Sequence, residues 1–161
     1  MVKVVAATIF VALTIGLSVA YYLFNMPQRD VQATKTDFSI SSSEIVNEYL
    51  QNADSANAKY LQEEGDSKIL AVKGKIFSIS VDQKNQKVIL LKDSSENAGV
   101  SCTFTQETNS HADNLKEGQT VTIKGVIRSG ADFDTDLDMY ENVIMEKCDI
   151  INQSIITIKN K

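Results

Sequence analysis

The feature that most constrains this chain is an uncharged, mostly apolar run near its beginning, from Val4 to Phe24. At about 1.5 Å of rise per residue, a helix of this length reaches roughly 30 Å, the thickness of the hydrocarbon core of a bilayer. The run therefore predicts a transmembrane signal-anchor helix over residues 4–24. Ser18 and Ala20 also form a small-x-small site, so cleavage after Ala20 is the alternative. The apolar character that continues to Phe24 favours the uncleaved anchor.

The residues that flank this run predict how the chain would lie in the membrane. Lys3 precedes the run, whereas Arg29 follows it beside Asp30. The positive-inside rule then places the N-terminus in the cytoplasm. We expect a single-pass protein of the inner (cytoplasmic) membrane, whose C-terminal domain faces the periplasm or the exterior. Residues 25–39 have no apolar period and predict a linker, which leaves residues 40–161 as one folded domain.

The charge of the chain beyond residue 24 bears on its partners. This part contains 15 basic and 21 acidic residues. Proteins that bind nucleic acid neutralise its phosphates with lysine and arginine. The acidic balance therefore argues against nucleic acid as the partner.

A helix start is the clearest local signal in the predicted domain. Ser41 and Glu44 have the spacing of a capping box, and a hydrophobic staple flanks them. Apolar residues then recur with a period close to 3.6. The pattern predicts one amphipathic helix that begins at Ser42 and is terminated by Gly65.

After Gly65 the apolar period changes from helical to strand-like. Five strands are predicted, with a short helix over residues 108–118 between the third and the fourth. The predicted strands cover residues 68–81, 87–92, 100–105, 119–128 and 140–151. Gly74 and Gly125 lie inside the first and fourth strands, where a residue without Cβ lets a long strand bend. This order predicts a mainly β fold, a five-stranded OB-fold barrel preceded by an amphipathic α-helix.

From about residue 41 to residue 150 the chain resembles the tRNA-anti-like family, small OB-fold domains named for their likeness to an anticodon-binding fold. The matching residues are Asn52, Ala56, Lys59 and Tyr60; Val72, Gly74 and Ile76; Val100 to Phe104; Leu115, Lys116, Gly118, Val121 and Ile123 to Gly125; and Cys148 and Ile150. The acidic loop at residues 129–138 departs from the shorter connection that we expect in this family. The resemblance implies the fold. It does not imply tRNA binding, because one fold supports many functions.

Two cysteines, Cys102 and Cys148, lie in the predicted third and fifth strands. These strands are neighbours in an OB barrel, and disulfides persist outside the cytoplasm. We therefore expect a Cys102–Cys148 disulfide. The alternative is a pair of reduced, buried thiols that pack as small apolar residues.

Four aspartates alternate along the acidic loop: Asp132, Asp134, Asp136 and Asp138. Their spacing imitates the first ligand positions of a calcium-binding loop, but Leu137 and Val143 stand where such a loop needs glycine and glutamate. They are weak calcium candidates, and a solvated hairpin tip is the main interpretation. No metal site is predicted.

The barrel face that binds ligands in OB-folds provides the remaining candidate residues, which are Lys73, Lys75, Lys92 and Phe104. The lysines would form a local basic patch, although charges on a solvated face explain them equally well. Single-strand binders combine a basic groove with several stacking rings, and here Phe104 is the only aromatic candidate.

The sequence contains no GxSxG, phosphate-loop or HExxH motif. It therefore predicts a non-enzymatic, membrane-anchored OB-fold binding module of the cell envelope, with no cofactor. We expect an envelope protein, a peptide or a saccharide as the partner. The alternative is that single-stranded nucleic acid or an oligosaccharide binds the barrel face.

Overall fold

The computed structural model of the chain describes residues 13–22, 24–25, 29–61 and 67–151. The chain divides into two compact units, residues 1–30 and residues 31–161. In the first unit, residues 13–22 are helical. The rest of the predicted membrane span, residues 4–12 and 23, lies outside the described residues. Within the described ranges, no helix combines the length and the apolar character needed to cross a membrane.

The second unit is mainly β and is built around a closed barrel. Its elements are β1 (Phe38–Ser41), α1 (Ser42–Gln51), α2 (Ala53–Tyr60), β2 (Ile69–Val81), β3 (Lys87–Leu91), β4 (Val100–Phe104), a 3₁₀ turn (Asn109–Ala112), β5 (Thr120–Ser129), β6 (Asp132–Asp134), β7 (Met139–Glu141) and β8 (Val143–Ile150). The barrel order is β2-β3-β4-β8-β5, and β5 pairs with β2 to close it. Only the β4–β8 pair is parallel within the barrel. The predicted five-stranded OB-fold barrel is confirmed.

The helical region differs from the single predicted helix. Ser41 caps α1 as predicted, because its hydroxyl accepts a hydrogen bond from the Glu44 N–H at 3.2 Å. Asn52 then takes an extended conformation, and its side chain accepts from the Ser55 N–H at 3.0 Å. An asparagine that caps a new helix ends the previous one, so two short helices replace one long helix. The predicted stop at Gly65 lies outside the described residues.

Strand β1 was not predicted from the sequence. It adds to the barrel beside the first half of β2, in parallel, with Phe38 opposite Leu70. Helix α1 follows directly and packs so closely on β2 that a Cβ on Gly74 would lie 2.7 Å from the Ser42 Oγ. This glycine therefore allows the helix to approach the barrel, in addition to any bend it permits.

Part of the predicted linker packs on the barrel. Val31 is buried with Ile69 and Val126. The ammonium of Lys124, on β5, donates hydrogen bonds to the backbone carbonyls of Gln32 and Thr34 at 2.8 and 2.6 Å. These contacts attach residues 31–36 to the folded unit, which therefore includes residues assigned to the linker at the sequence level.

The predicted disulfide is wrong, although the predicted neighbourhood of its strands is correct. Phe104 of β4 lies opposite Cys148 of β8. Cys102 and Cys148 are both fully buried and both free thiols. Burial raises the pKa of the Cys148 thiol, and its contact with Cys102 adds to the shift. A Cβ on Gly125 would lie 2.6 Å from the Cys148 Sγ, so the pair is packed tightly in the barrel core.

Candidate ligand face of the barrel

Strand β2 places two of the predicted ligand residues on the outside of the barrel. Side chains alternate between the two faces of a strand, so Lys73 and Lys75 are exposed while Val72 and Ile76 are buried. Lys92 follows β3 and lies beside them, because its N–H donates to the Lys75 carbonyl at 3.0 Å. Three of the predicted residues are therefore brought together.

Phe104 is not part of this surface. It is buried in the core on the same side of β4 as Val100 and Cys102. Its ring therefore contributes to barrel stability and has no access to a ligand on the outside.

A different aromatic side chain, Phe77, occupies the outer face. The register of β2 against β3 shifts at this point: Ile76 lies opposite Leu91 and Ser78 lies opposite Leu90. Phe77 is the extra residue of this β-bulge, a feature that commonly redirects a side chain. Its side chain is 44% exposed, which is high for a large ring.

Lys92 and Phe77 contact each other on this surface. The Lys92 Nζ lies 4.7 Å from the centroid of the Phe77 ring, within cation–π range. We call the surface formed by Lys73, Lys75, Phe77 and Lys92 the lysine–phenylalanine face. It combines fixed positive charge with an accessible ring.

The three strands that form this part of the barrel wall, β2, β3 and β4, contain no acidic residue. Its remaining outward positions are uncharged, among them Leu90, Ser101 and Thr103. In the part of the chain that the structure describes, none of the three lysines of the face takes part in an ion pair. The face is therefore locally basic in a protein whose net charge is −5.

The acidic loop forms a hairpin, β6–β7, between β5 and β8. The Phe133 and Tyr140 rings contact each other across it, with centroids 4.8 Å apart. The base is anchored, since the Asn142 side chain accepts from the Gly99 N–H at 2.7 Å and Gly130 packs against the Tyr49 ring. The hairpin interpretation of this loop is therefore correct.

One aspartate of the hairpin shapes its turn. Asp134 accepts hydrogen bonds from the N–H groups of Asp136 and Leu137 and so shapes the turn, with Asp138 at a φ of 51°. Among the described residues, no group of three or more potential ligands is arranged to hold a metal ion. The calcium alternative for Asp132, Asp134, Asp136 and Asp138 is therefore not supported.

A shallow groove lies on the helix pair, lined by Glu48, Gln51, Asn52, Ser55, Ala56 and Lys59. Its charged groups bind each other: the Lys59 ammonium contacts both Glu48 carboxylate oxygens at 3.0 and 2.8 Å, and the Tyr60 hydroxyl donates to the same carboxylate. The hydrogen bond from Lys59 holds the pKa of Glu48 below its usual value, and the same bond raises the pKa of Lys59. These contacts join α1 to α2, which makes the groove a structural feature.

The strand order of the barrel and the position of the lysine–phenylalanine face on its outside define the class of protein as an OB-fold module. The family model described as tRNA_anti-like matches residues 1–135, and the chain belongs to that family. The family assignment made from the sequence is therefore confirmed.

Solved structures extend the comparison. A crystal structure of a candidate nucleic acid-binding lipoprotein from Klebsiella pneumoniae subsp. pneumoniae is 16% identical, with a TM-score of 0.52, and the match covers 79% of this chain and 100% of that chain. At this identity the likeness shows the fold alone. An asparaginyl-tRNA synthetase from Entamoeba histolytica, solved with asparaginyl-adenylate, is 20% identical over 65% of this chain and 24% of that chain, with a TM-score of 0.38. That likeness is too low to carry an argument. No curated protein matches the chain.

The sequence already contained a signal for Phe77, which was not among the predicted ligand residues. Phe77 has the same strand parity as Lys73 and Lys75, so strict alternation already places it beside them. Phe104 shares its parity with Cys102, which the barrel needs inside. Parity within each strand therefore distinguishes the two rings better than their distance along the sequence does.

Proposed function

We propose that this protein is a non-enzymatic OB-fold binding module that binds single-stranded nucleic acid through its lysine–phenylalanine face. The observation that carries the proposal is an exposed ring, Phe77, beside Lys92 on a sheet whose three strands contain no acidic residue. Proteins that bind single strands combine stacking rings with cations that follow the backbone.

The chemistry of the face favours a flexible anionic strand. A base can stack on the exposed Phe77 ring, because every base has a π-face. Lys73, Lys75 and Lys92 then offer ammonium groups to successive phosphates. The uncharged neighbours, such as Ser101 and Thr103, add hydroxyl groups without repelling phosphate.

The net charge of −5 is a weaker argument against nucleic-acid binding once the positions of the charged residues are known. Acidic residues are absent from the strands of the face and are concentrated elsewhere, above all in the β6–β7 hairpin. With a Debye length of about 8 Å at physiological ionic strength, distant surface charges are largely screened from a ligand on the face.

Fluorescence anisotropy with a labelled single-stranded oligonucleotide tests the proposal, using the full chain in a neutral detergent. If the three lysines each neutralise one phosphate, log K falls with log salt concentration with a slope of about −2. Lys75→Gln should weaken binding and reduce the slope. Lys35→Gln, which removes one exposed lysine outside the face, is the matched control and should change neither.

The proposal fails if the anisotropy does not change at low salt. It also fails if binding occurs but Lys75→Gln and Lys35→Gln have the same effect, because the ligand then lies elsewhere. Titration with a neutral oligosaccharide, which carries no phosphate, checks that the charge of the ligand matters.

We also propose that residues 4–24 tether the module to the inner membrane, with the barrel on the side away from the cytoplasm. The uncharged apolar run supports this location. Intact mass of the protein from the membrane fraction should show residues 1–20 retained, and protease added outside spheroplasts should digest the barrel. A soluble product that begins at Tyr21, or a protected barrel, contradicts the proposal. Ligand and tether depend on different residues, so either proposal can fail alone.

A further inference from the structure

We propose that the β6–β7 hairpin of one molecule docks on the lysine–phenylalanine face of a second copy, and that the two copies form a reciprocal dimer. The inference concerns the same face as the proposed function, but it does not require nucleic acid to be the ligand. It rests on two surfaces of this chain that complement each other.

The hairpin region is strongly acidic, opposite in sign to the face. Between Gly130 and Asn142 the chain has five acidic residues and no lysine or arginine, namely Asp132, Asp134, Asp136, Asp138 and Glu141. None of these carboxylates belongs to an ion pair in the described part of the chain. Their charge is therefore available to a cationic surface.

The hairpin also exposes apolar side chains that the fold does not cover. Leu137 is 66% exposed and Met139 is 51% exposed, and the paired rings of Phe133 and Tyr140 are also partly accessible. Interface centres are commonly formed by aromatic residues and methionine. The face offers Phe77 and Leu90 as apolar partners between its lysines.

The base of the hairpin is anchored to the body of its own molecule. Asn142 is fixed to Gly99, Ala131 is buried, and Gly130 lies against Tyr49. In this position no carboxylate of the hairpin pairs with a lysine of the face. A second copy can bring the two surfaces together without moving either one.

A reciprocal arrangement satisfies both surfaces of both copies at once. In a two-fold dimer the hairpin of each molecule meets the face of the other, so the contact forms twice and the assembly closes. The same contact hides the lysine–phenylalanine face, so an anionic ligand and the second copy compete for it.

Sedimentation velocity of the full chain in a neutral detergent tests the dimer. The wild-type protein should be dimeric at about 50 mM salt and should dissociate as screening increases toward about 500 mM. Neutralising three hairpin carboxylates (Asp132→Asn, Asp136→Asn and Asp138→Asn) should make it monomeric at low salt. Neutralising three exposed carboxylates elsewhere (Glu44→Gln, Asp54→Asn and Glu117→Gln) changes the net charge equally and should leave the dimer intact.

A charge exchange makes the test specific. A face variant (Lys73→Glu and Lys75→Glu) and a hairpin variant (Asp132→Lys, Asp136→Lys and Glu141→Lys) should each be monomeric alone, because these changes reverse the net sign of the face and of the hairpin region, so that like charges meet in both contacts. Their mixture should form a heterodimer, since its two contacts again join opposite charges. A monomeric wild-type protein at low salt, or a mixture that stays monomeric, overturns the inference.

The outcome for the dimer is separable from that for the ligand. A monomer that still binds the oligonucleotide rejects the dimer and leaves the proposed function standing. A salt-sensitive dimer supports the inference, and if the monomeric variant with three neutralised hairpin carboxylates also binds no oligonucleotide, nucleic acid is rejected as the ligand while the dimer stands.

Discussion

The outer side of strands β2–β4 and the β6–β7 hairpin are opposite in charge and similar in having exposed rings. The sheet presents Lys73, Lys75 and Lys92 around Phe77, whereas the hairpin presents aspartates around Phe133 and Tyr140. The sum of the charges hides this separation. The comparison teaches that a net charge constrains the ligand of a domain only when the charges are evenly distributed.

The lysines of this protein also differ in burial, and the difference decides what their charge does. Lys124 is 9% exposed and donates to two backbone carbonyls, so its charge serves the fold. Lys73 and Lys75 are exposed and form no ion pair within the described part of the chain, so their charge adds little to stability and is available to a ligand.

The largest effect is expected from reversing the charge of the lysine–phenylalanine face. Lys73→Glu with Lys75→Glu should weaken oligonucleotide binding by a factor of roughly 100 at low salt, because two phosphate contacts become repulsive. Anisotropy measures the affinity, and thermal unfolding verifies that both proteins are folded. An affinity within a factor of two of the wild type would show that the sheet is not the ligand surface.

Removing the ring of the face should have the next largest effect on binding. Phe77→Ala removes one stacking surface, worth about 1–3 kcal/mol, and should weaken binding correspondingly. Phe77→Tyr keeps the ring and should bind like the wild type. Phe133→Ala removes an exposed ring from the hairpin and should leave oligonucleotide affinity unchanged at a salt concentration that keeps both proteins monomeric. Equal losses for Phe77→Ala and Phe133→Ala would contradict the contrast between the two regions.

The buried lysine should behave in the opposite way to the exposed ones. Lys124→Met removes a donor from the carbonyls of Gln32 and Thr34, and we expect the free energy of unfolding to fall by about 1.5 kcal/mol. Oligonucleotide affinity should not change. Lys75→Met should leave stability unchanged and weaken binding. Chemical denaturation measures the stability of both variants, and anisotropy measures their affinity. If Lys124→Met and Lys75→Met change stability and affinity in the same way, the contrast between the buried and the exposed lysine is wrong.

The smallest effect concerns Tyr49, which supports the base of the hairpin. Its hydroxyl is buried and has no hydrogen-bond partner among the residues that the structure describes. Tyr49→Phe removes this unsatisfied group and should raise the free energy of unfolding by about 1 kcal/mol near neutral pH. Chemical denaturation measures the change, and a destabilised variant would mean that the hydroxyl does have a stabilising partner.

The same substitution should alter the response to alkaline pH. Burial raises the pKa of Tyr49 from 10.0 to about 12. The folded state therefore holds this proton where the unfolded state loses it, so stability is present in full below pH 10 and falls as pH rises toward 12. Tyr49→Phe should lose less stability than the wild type between these values. Identical pH profiles would contradict the assigned burial.

Much of the fold was predictable because its signals are local. Alternating apolar residues located the five barrel strands, and Ser41 and Glu44 located the start of α1. Asn52 was harder to interpret, since an asparagine that caps a second helix looks like any polar residue on a helix surface. Strand β1 depends on a partner distant in sequence, and no local pattern identifies it.

The candidate site was partly predictable for the same reason. Lys73 and Lys75 follow from parity on one strand, whereas their approach to Lys92 depends on the register of β2 against β3. The bulge at Phe77 is a property of that pairing. For the cysteines, strand order correctly predicted that they are neighbours, but neighbouring thiols do not by themselves form a bond.

The most direct test of the central claim is a map of the bound surface. Amide chemical shifts of the isotopically labelled full chain, in detergent micelles, should be followed during titration with a single-stranded oligonucleotide. At a salt concentration that keeps the protein monomeric, the account predicts that the largest changes occur at Lys73, Lys75, Phe77 and Lys92, with little change in the hairpin. Changes confined to residues 132–141 or to the helix pair, or no changes at all, would contradict it.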